Sequence, residues 1–234
     1  MISCPSCFIL NVDIFCTAER KNEKKMNIVD LTWDFNGERF PPLFEKKEIR
    51  LQSGHTEYTG VVYKFTHDSM CGSYIDFPGH IAETDDGMDA AKYPVEDLYR
   101  IPADVIRFNK KSGDGAVTAE DLEKKIPAEA PKSKALILNA LGEINPRDIK
   151  LRSVYLSMDA VDWIIKSGYK LIVSDIYESQ ALHGVFLKLF EAGISTVCIP
   201  VNLYKLPEKP VLLTVLFPKI PSITQLPCRI VAEY

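Results

Sequence analysis

The chain has 234 residues, of which 46% are hydrophobic, 26% charged and 10% aromatic, proportions that exclude a collagen, a disordered tail and a disulfide miniprotein. Its 28 basic and 32 acidic residues leave a formal charge of −4, so no basic surplus is present to neutralise phosphates and no nucleic-acid partner is expected. No apolar run reaches the roughly 18 residues of a membrane span, and no membrane partner is expected.

Six cysteines are present, and three of them, Cys4, Cys7 and Cys16, fall at the start of the chain. Cys4-Pro-Ser-Cys7 has the form of half a zinc site or a redox pair, but no second pair follows at finger spacing. Residues 1–25, which end in a charged run, read as a poorly specified extension ahead of a single domain over 26–234. Nothing calls for disulfides, so free thiols and a cytoplasmic location are expected.

From Met26 onward strand and helix patterns alternate. Residues 27–33, 60–66 and 103–108 read as strands. Thr118 followed by Asp121 resembles a capping box that opens a short helix over 119–125. Residues 135–139 form a buried-type strand. Ser157 is a helix N-cap, Met158, Val161, Ile164 and Ile165 recur at helical spacing, and Gly168 ends the run. Residues 169–174 predict a strand, 181–192 a helix and 194–199 a further strand. Strands at 211–217 and 228–232 close the chain. This alternation predicts an α/β domain with parallel strands and crossover helices.

The densest polar cluster runs from His67 to His80. If 72–76 is extended, Gly72, Tyr74 and Asp76 share a face, and His80 returns to the same side after Pro78. A carboxylate and an imidazole placed in this way can share one metal ion or one water. The same spacing also suits an Asp76 that caps the turn beside a surface His80. His55 and His67 fit no motif and read as loop or surface residues.

Gly72-Ser73-Tyr74-Ile75-Asp76-Phe77-Pro78-Gly79-His80 resembles a variant of H-x-G-T-H-x-D-x-P-x-H, the hallmark of the cyclase family, which contains bacterial kynurenine formamidases and isatin hydrolases. Residues 27–33 resemble the family's opening strand, I-x-D-L-T. Residues 156–179, with Asp175 and Ser179, resemble its helix–strand unit ending in G-x-D-x-x-S, and His183 sits where a metal-ligand histidine follows. Residues 198–203 resemble E-x-L-x-N-L, and residues 226–232 resemble S-P-x-R-x-x-A. The similarity covers nearly all of 27–234, in order.

The resemblance implies a swivelling β/β/α fold in a homodimer or homotetramer. It implies a hydrolase that opens an amide, lactam or ester bond of a small, often aromatic molecule, N-formylkynurenine being the type relevant to tryptophan catabolism. Such enzymes activate water with one or two zinc or manganese ions. Asp76 and His183 match ligand positions, and His80 matches the base beside the metal-bound water. Three family ligands are replaced here, by Met70, Tyr74 and Cys198. Thioether and phenol are poor ligands for hard divalent ions, which leaves Met70 and Tyr74 as substrate-binding candidates. A thiolate binds zinc well and favours it over manganese, so Asp76, His183 and Cys198 compose a candidate three-ligand zinc site with one open position. The alternative is a metal-free relative in which Cys198 is a core residue, Tyr74 fills the place of a lost ion, and the pocket binds a small molecule without turnover.

Overall fold

A computed structural model describes residues 26–35, 43–126, 130, 132–146, 148–149 and 152–234. The extension over 1–25, with its Cys4–Cys7 pair, lies outside the described residues. In chain order the strands and helices are β1 (Ile28–Asp30), β2 (Leu43–Ser53), β3 (Thr56–Thr66), β4 (Tyr74–Asp76), β5 (Ile101–Arg107), β6 (Gly115–Val117), α1 (Ala119–Lys125), β7 (Ala135–Asn139), β8 (Val154–Leu156), α2 (Met158–Lys166), β9 (Leu171–Ser174), α3 (Val185–Glu191), β10 (Ser195–Cys198), β11 (Val211–Leu216), β12 (Gln225–Pro227) and β13 (Arg229–Glu233).

Nine strands form one sheet in the order β1-β13-β11-β5-β7-β9-β10-β4-β12. The centre, β5-β7-β9-β10, is parallel, as the alternating pattern predicts. Its flanks are antiparallel: β4 joins β10 on one side, with β12 beyond it, and β11 joins β5 on the other. The central strands are buried on both faces. Ala135 and Ile137 of β7 enter one apolar layer with Ile75, Val197 and Leu226. Leu136 and Leu138 enter a second layer with Val161, Ile164, Leu189 and Phe190 of the helices. This two-residue alternation is the pleat of the strand read as packing.

Local signals explain several boundaries. The Thr118 hydroxyl accepts from Asp121 N at 3.3 Å while the Asp121 carboxylate accepts from Thr118 N at 3.1 Å, a complete capping box with Asp in the usual Glu position. Ser157 caps α2 through Ala160 N. The predicted helix over 181–192 is shorter than its apolar pattern, because Leu182 and Gly184 have positive φ angles of 51° and 86° and α3 begins only at Val185. The predicted strand over 27–33 stops at Asp30, whose carboxylate accepts from Thr32 N and turns the chain.

The sequence reading names strand 60–66 but not its partner. β2 and β3 pair over all 11 residues, Leu43 opposite Thr66 and Ser53 opposite Thr56, as a separate two-stranded ribbon closed by Gly54 and His55. β2 carries Glu45-Lys46-Lys47-Glu48, a solvated composition without a one-sided apolar alternation, so pattern alone passes over it.

Candidate active site

The motif segment is placed by β4, the short strand between β10 and β12. Tyr74 lies opposite Cys198 and Pro227, and Asp76 opposite Thr196 and Gln225. Tyr74, Asp76, Cys198 and Gln225 therefore share one face of the sheet, while Ile75 points into the other apolar layer. The approach to β4 is fixed by Gly72, at φ 67°, where a Cβ atom would stand 2.9 Å from both Trp33 O and Phe35 Cδ1. Next to it, buried Ser73 accepts from Trp33 N and donates to Ile199 O, each at 2.7 Å. The motif's glycine and serine thus join the β1 exit to the β10 exit.

Asp76 is 3% exposed and is the centre of the cluster. Gln225 Nε2 donates to Asp76 Oδ1 at 2.7 Å and lies 3.1 Å from His80 Nε2. Ser69 Oγ donates to Gln225 Oε1 at 2.5 Å. Cys198 donates its thiol proton to Asp76 Oδ2 at 3.5 Å. Burial pushes the Asp76 carboxyl up to about 6, against the downward pull of the Gln225 hydrogen bond, the neighbouring His80 ring and the Cys198 thiol. Burial and then the Asp76 charge hold the Cys198 thiol well above its ordinary value. Burial also raises the Tyr177 phenol, which donates to Val197 O at 2.9 Å beneath the cluster. His80 is the exposed member, with the Phe190 ring edge-on 6.5 Å away.

Asp76, His80 and Cys198 are thus brought together, with Tyr74 beside them. His183 is not in the group. Its Nδ1 lies 2.6 Å from Ser179 Oγ and its Nε2 lies 3.2 Å from Leu156 O, so both ring nitrogens are engaged elsewhere. Met70 is partly buried ahead of the motif, and its backbone N donates to Asp68 Oδ1. Gln225, which holds the cluster together, lies one residue before the recognised 226–232 segment. Only the pairing of β12 with β4 reveals its place.

The donor set does not fit the expected zinc site. The 3.5 Å between Cys198 Sγ and Asp76 Oδ2 suits one edge of a zinc tetrahedron with bonds of about 2.0–2.3 Å. Among the described residues no third protein ligand is offered to this pair, because His183 is held by Ser179 and Leu156 and His80 Nε2 faces an amide nitrogen. Among the described residues no three His, Cys, Asp or Glu side chains gather as a metal-binding group.

Asp175 belongs to a different feature. A cleft of about 180 Å³ opens at the carboxyl ends of the parallel strands, lined by Asn139, Glu143, Asp175, Pro200 and Tyr204 among others, and it includes none of Asp76, His80, Cys198 or Gln225. The Asp175 carboxylate accepts from Ala140 N, Leu141 N and Asn139 Nδ2, which ties the ends of β7 and β9 together. Its depth pushes it up to about 6 against those three donors.

The model of the family described as "Putative cyclase" matches residues 29–180. No curated protein matches the sequence. Among solved structures, isatin hydrolase A from Labrenzia aggregata bound to benzyl benzoate superposes with a TM-score of 0.69 at 18% identity, over 89% of this chain and 93% of that one. Isatin hydrolase A from Ralstonia solanacearum gives 0.69 at 17% identity, over 89% and 92%. A predicted metal-dependent hydrolase from Bacillus stearothermophilus gives 0.64 at 17%, over 89% and 98%. At such identities the likeness is one of fold, and it agrees with the swivelling β/β/α architecture. No helix among the described residues is long and apolar enough to cross a membrane.

Proposed function

The chain belongs to the cyclase family, and on that basis we propose that it is a hydrolase of the cyclase type, acting on an amide, lactam or ester bond of a small aromatic molecule at the Asp76–His80 face of the sheet. The observation that carries this reading is one amide, Gln225, joining a buried carboxylate to an exposed imidazole at the family's motif positions. The fold likeness to isatin hydrolases supports a hydrolase of this type. The protein acts in the cytoplasm as a homodimer or homotetramer.

An amide nitrogen only donates, so with Gln225 Nε2 against it His80 Nε2 accepts, and the ring proton resides on Nδ1. The ring is exposed, so Nδ1–H hydrogen-bonds the carbonyl oxygen of a bound substrate; water then adds to the carbon, the C–N or C–O bond breaks, and the proton the water gives up leaves on the departing nitrogen or oxygen. Asp76 does not touch the substrate in this arrangement. It holds Gln225, which holds His80.

A second reading is favoured by the same amide. Gln225 engages Asp76 Oδ1 and His80 Nε2 together, so no basic nitrogen is left free to take a proton from water, which suits a pocket that binds a carbonyl compound without turning it over. The test is incubation of the full chain with isatin, N-formylkynurenine and a phenyl ester, with product followed by chromatography. Turnover that falls at least about a hundredfold in His80→Ala supports the hydrolase. Ligand binding by wild type with no turnover above buffer overturns it in favour of the second reading.

A further inference from the structure

The family's chemistry leads one to expect a metal ion, and the cluster here is closed without one. We infer that Gln225 is the positioning residue of a metal-independent site, its side-chain amide joining the Asp76 carboxylate to the His80 imidazole. The inference takes its location from the hydrolase reading, but its tests do not require turnover.

The hydrogen-bond inventory supports it. A carboxamide has two N–H donors and one carbonyl acceptor. At Gln225 one N–H goes to Asp76 Oδ1 at 2.7 Å, the other faces His80 Nε2 at 3.1 Å, and the carbonyl accepts from Ser69 Oγ at 2.5 Å. The second Asp76 oxygen accepts from the Cys198 thiol. A thiol that donates its proton to a carboxylate is not at that moment a thiolate ligand. A divalent ion would have to break the bonds to Gln225, discharge the thiol and find a third protein ligand, and the expected one, His183, is held by Ser179 and Leu156. Gln225 is 8% exposed, so the bonds it makes are made away from water and are costly to leave unmade.

The placement follows from register. Gln225 stands directly opposite Asp76 in the β12–β4 pairing, and His80 follows Asp76 by one short turn over Pro78–His80. A residue at position 225 with a shorter side chain, or without an N–H donor, would leave Asp76 Oδ1 without this partner.

Two measurements test the inference on the full chain. The first is elemental analysis after dialysis against zinc and then manganese. Less than about a tenth of an equivalent of either ion is expected, and one equivalent overturns the inference. The second is nitrogen-15 NMR of the His80 ring. Acceptance of the Gln225 N–H by Nε2 requires the Nδ1–H tautomer in wild type, whereas an unrestrained histidine side chain in water favours the proton on Nε2. Gln225→Ala is expected to revert to the Nε2–H form with circular dichroism unchanged, and a purely structural role would not move this signal. If Gln225→Ala does not fold, the wild-type spectrum still decides. An Nε2–H ring in wild type, or a tautomer unchanged in folded Gln225→Ala, overturns the inference. A metal-free protein with the Nδ1–H ring and no turnover retains it and removes only the hydrolase reading.

Discussion

Ser179 Oγ lies 2.6 Å from His183 Nδ1, four residues along the chain, and this contact keeps His183 out of the Asp76 cluster. The far nitrogen completes the clasp on Leu156 O, at the end of β8, and the Tyr155 ring stands edge-on at 5.5 Å. A carbonyl only accepts, so Nε2 donates. The histidine thus pins the loop before α3 to the strand before α2. His183→Ala is expected to cost about 1–2 kcal/mol of stability, read by urea denaturation, and to leave turnover within a factor of about two. A folded variant with an unchanged urea midpoint and turnover lost would show instead that the histidine serves the reaction rather than the fold.

The Asp76 carboxyl gives the site a pH signature. Its folded value, about 6, lies above the ordinary 3.8. Between those values the folded chain holds a proton that the unfolded chain has released, so stability falls as pH rises through this window. Asp76→Asn keeps an oxygen for Gln225 and removes the charge. Its stability is expected to match wild type near pH 4 and to exceed it above pH 6, by on the order of 2–3 kcal/mol. Urea midpoints from pH 4 to 8 check this, and parallel curves for the two proteins would contradict it. Activity, if it needs ionised Asp76 to hold Gln225, should decline below pH 6.

Much of the fold was legible because its signals are local. The Thr118–Asp121 box, the Ser157 cap and the apolar run at 135–139 each declare an element within a few residues. The site was most legible where it lies within one motif, as with Asp76 and His80. Cys198 was found through a segment resemblance, and the structure does bring it to Asp76. Gln225 is 149 residues from Asp76, and only strand register joins them. Position 183 lies away from the Asp76 cluster for a related reason. Its spacing from Ser179 is the same whether the ring turns toward β4 or back onto Leu156, and the backbone turn at Leu182 and Gly184 settles which. β12, three residues long, has no periodicity to read.

A control far from the site comes from Tyr169. It is 1% exposed, and its hydroxyl donates to Asp104 Oδ2 at 2.9 Å. Asp104 also accepts from Ser133 N and Ser133 Oγ, both at 2.8 Å, which ties β5 to the entry of β7. Burial, the Asp104 charge and the hydrogen bond together hold the phenol far above its ordinary value, so it remains a donor throughout the accessible pH range. Tyr169→Phe keeps the ring and removes one donor from a triply bonded carboxylate. The expected cost is about 1–2 kcal/mol by urea denaturation, with no change in turnover. An unaltered midpoint would mean that the hydroxyl's bond is matched by water in the unfolded chain.

The β2–β3 ribbon leads to the last prediction. A two-stranded ribbon is marginal alone, and this one is exposed along nearly its whole length. Register sorts its side chains onto two faces. Phe44 and Phe65 stand opposite one another, with Tyr63 and Val61 along the same face, while Ile49, Leu51, Tyr58 and Val62 occupy the other. Phe44, Phe65, Tyr58 and Tyr63 are 57–60% exposed. Ion pairs such as Lys64–Glu45 lie on the ribbon's surface, and exposed pairs of this kind add little stability. Apolar stripes on both faces of a projecting arm are what a ribbon needs when a second chain covers it. Light scattering at micromolar concentration is therefore expected to give a multiple of the 26.4 kDa chain mass. Phe44→Ser combined with Phe65→Ser removes the largest facing pair without touching the nine-stranded sheet, and should weaken assembly at least about tenfold. A wild-type mass of 26.4 kDa would sink the prediction and leave the arm free for a different partner.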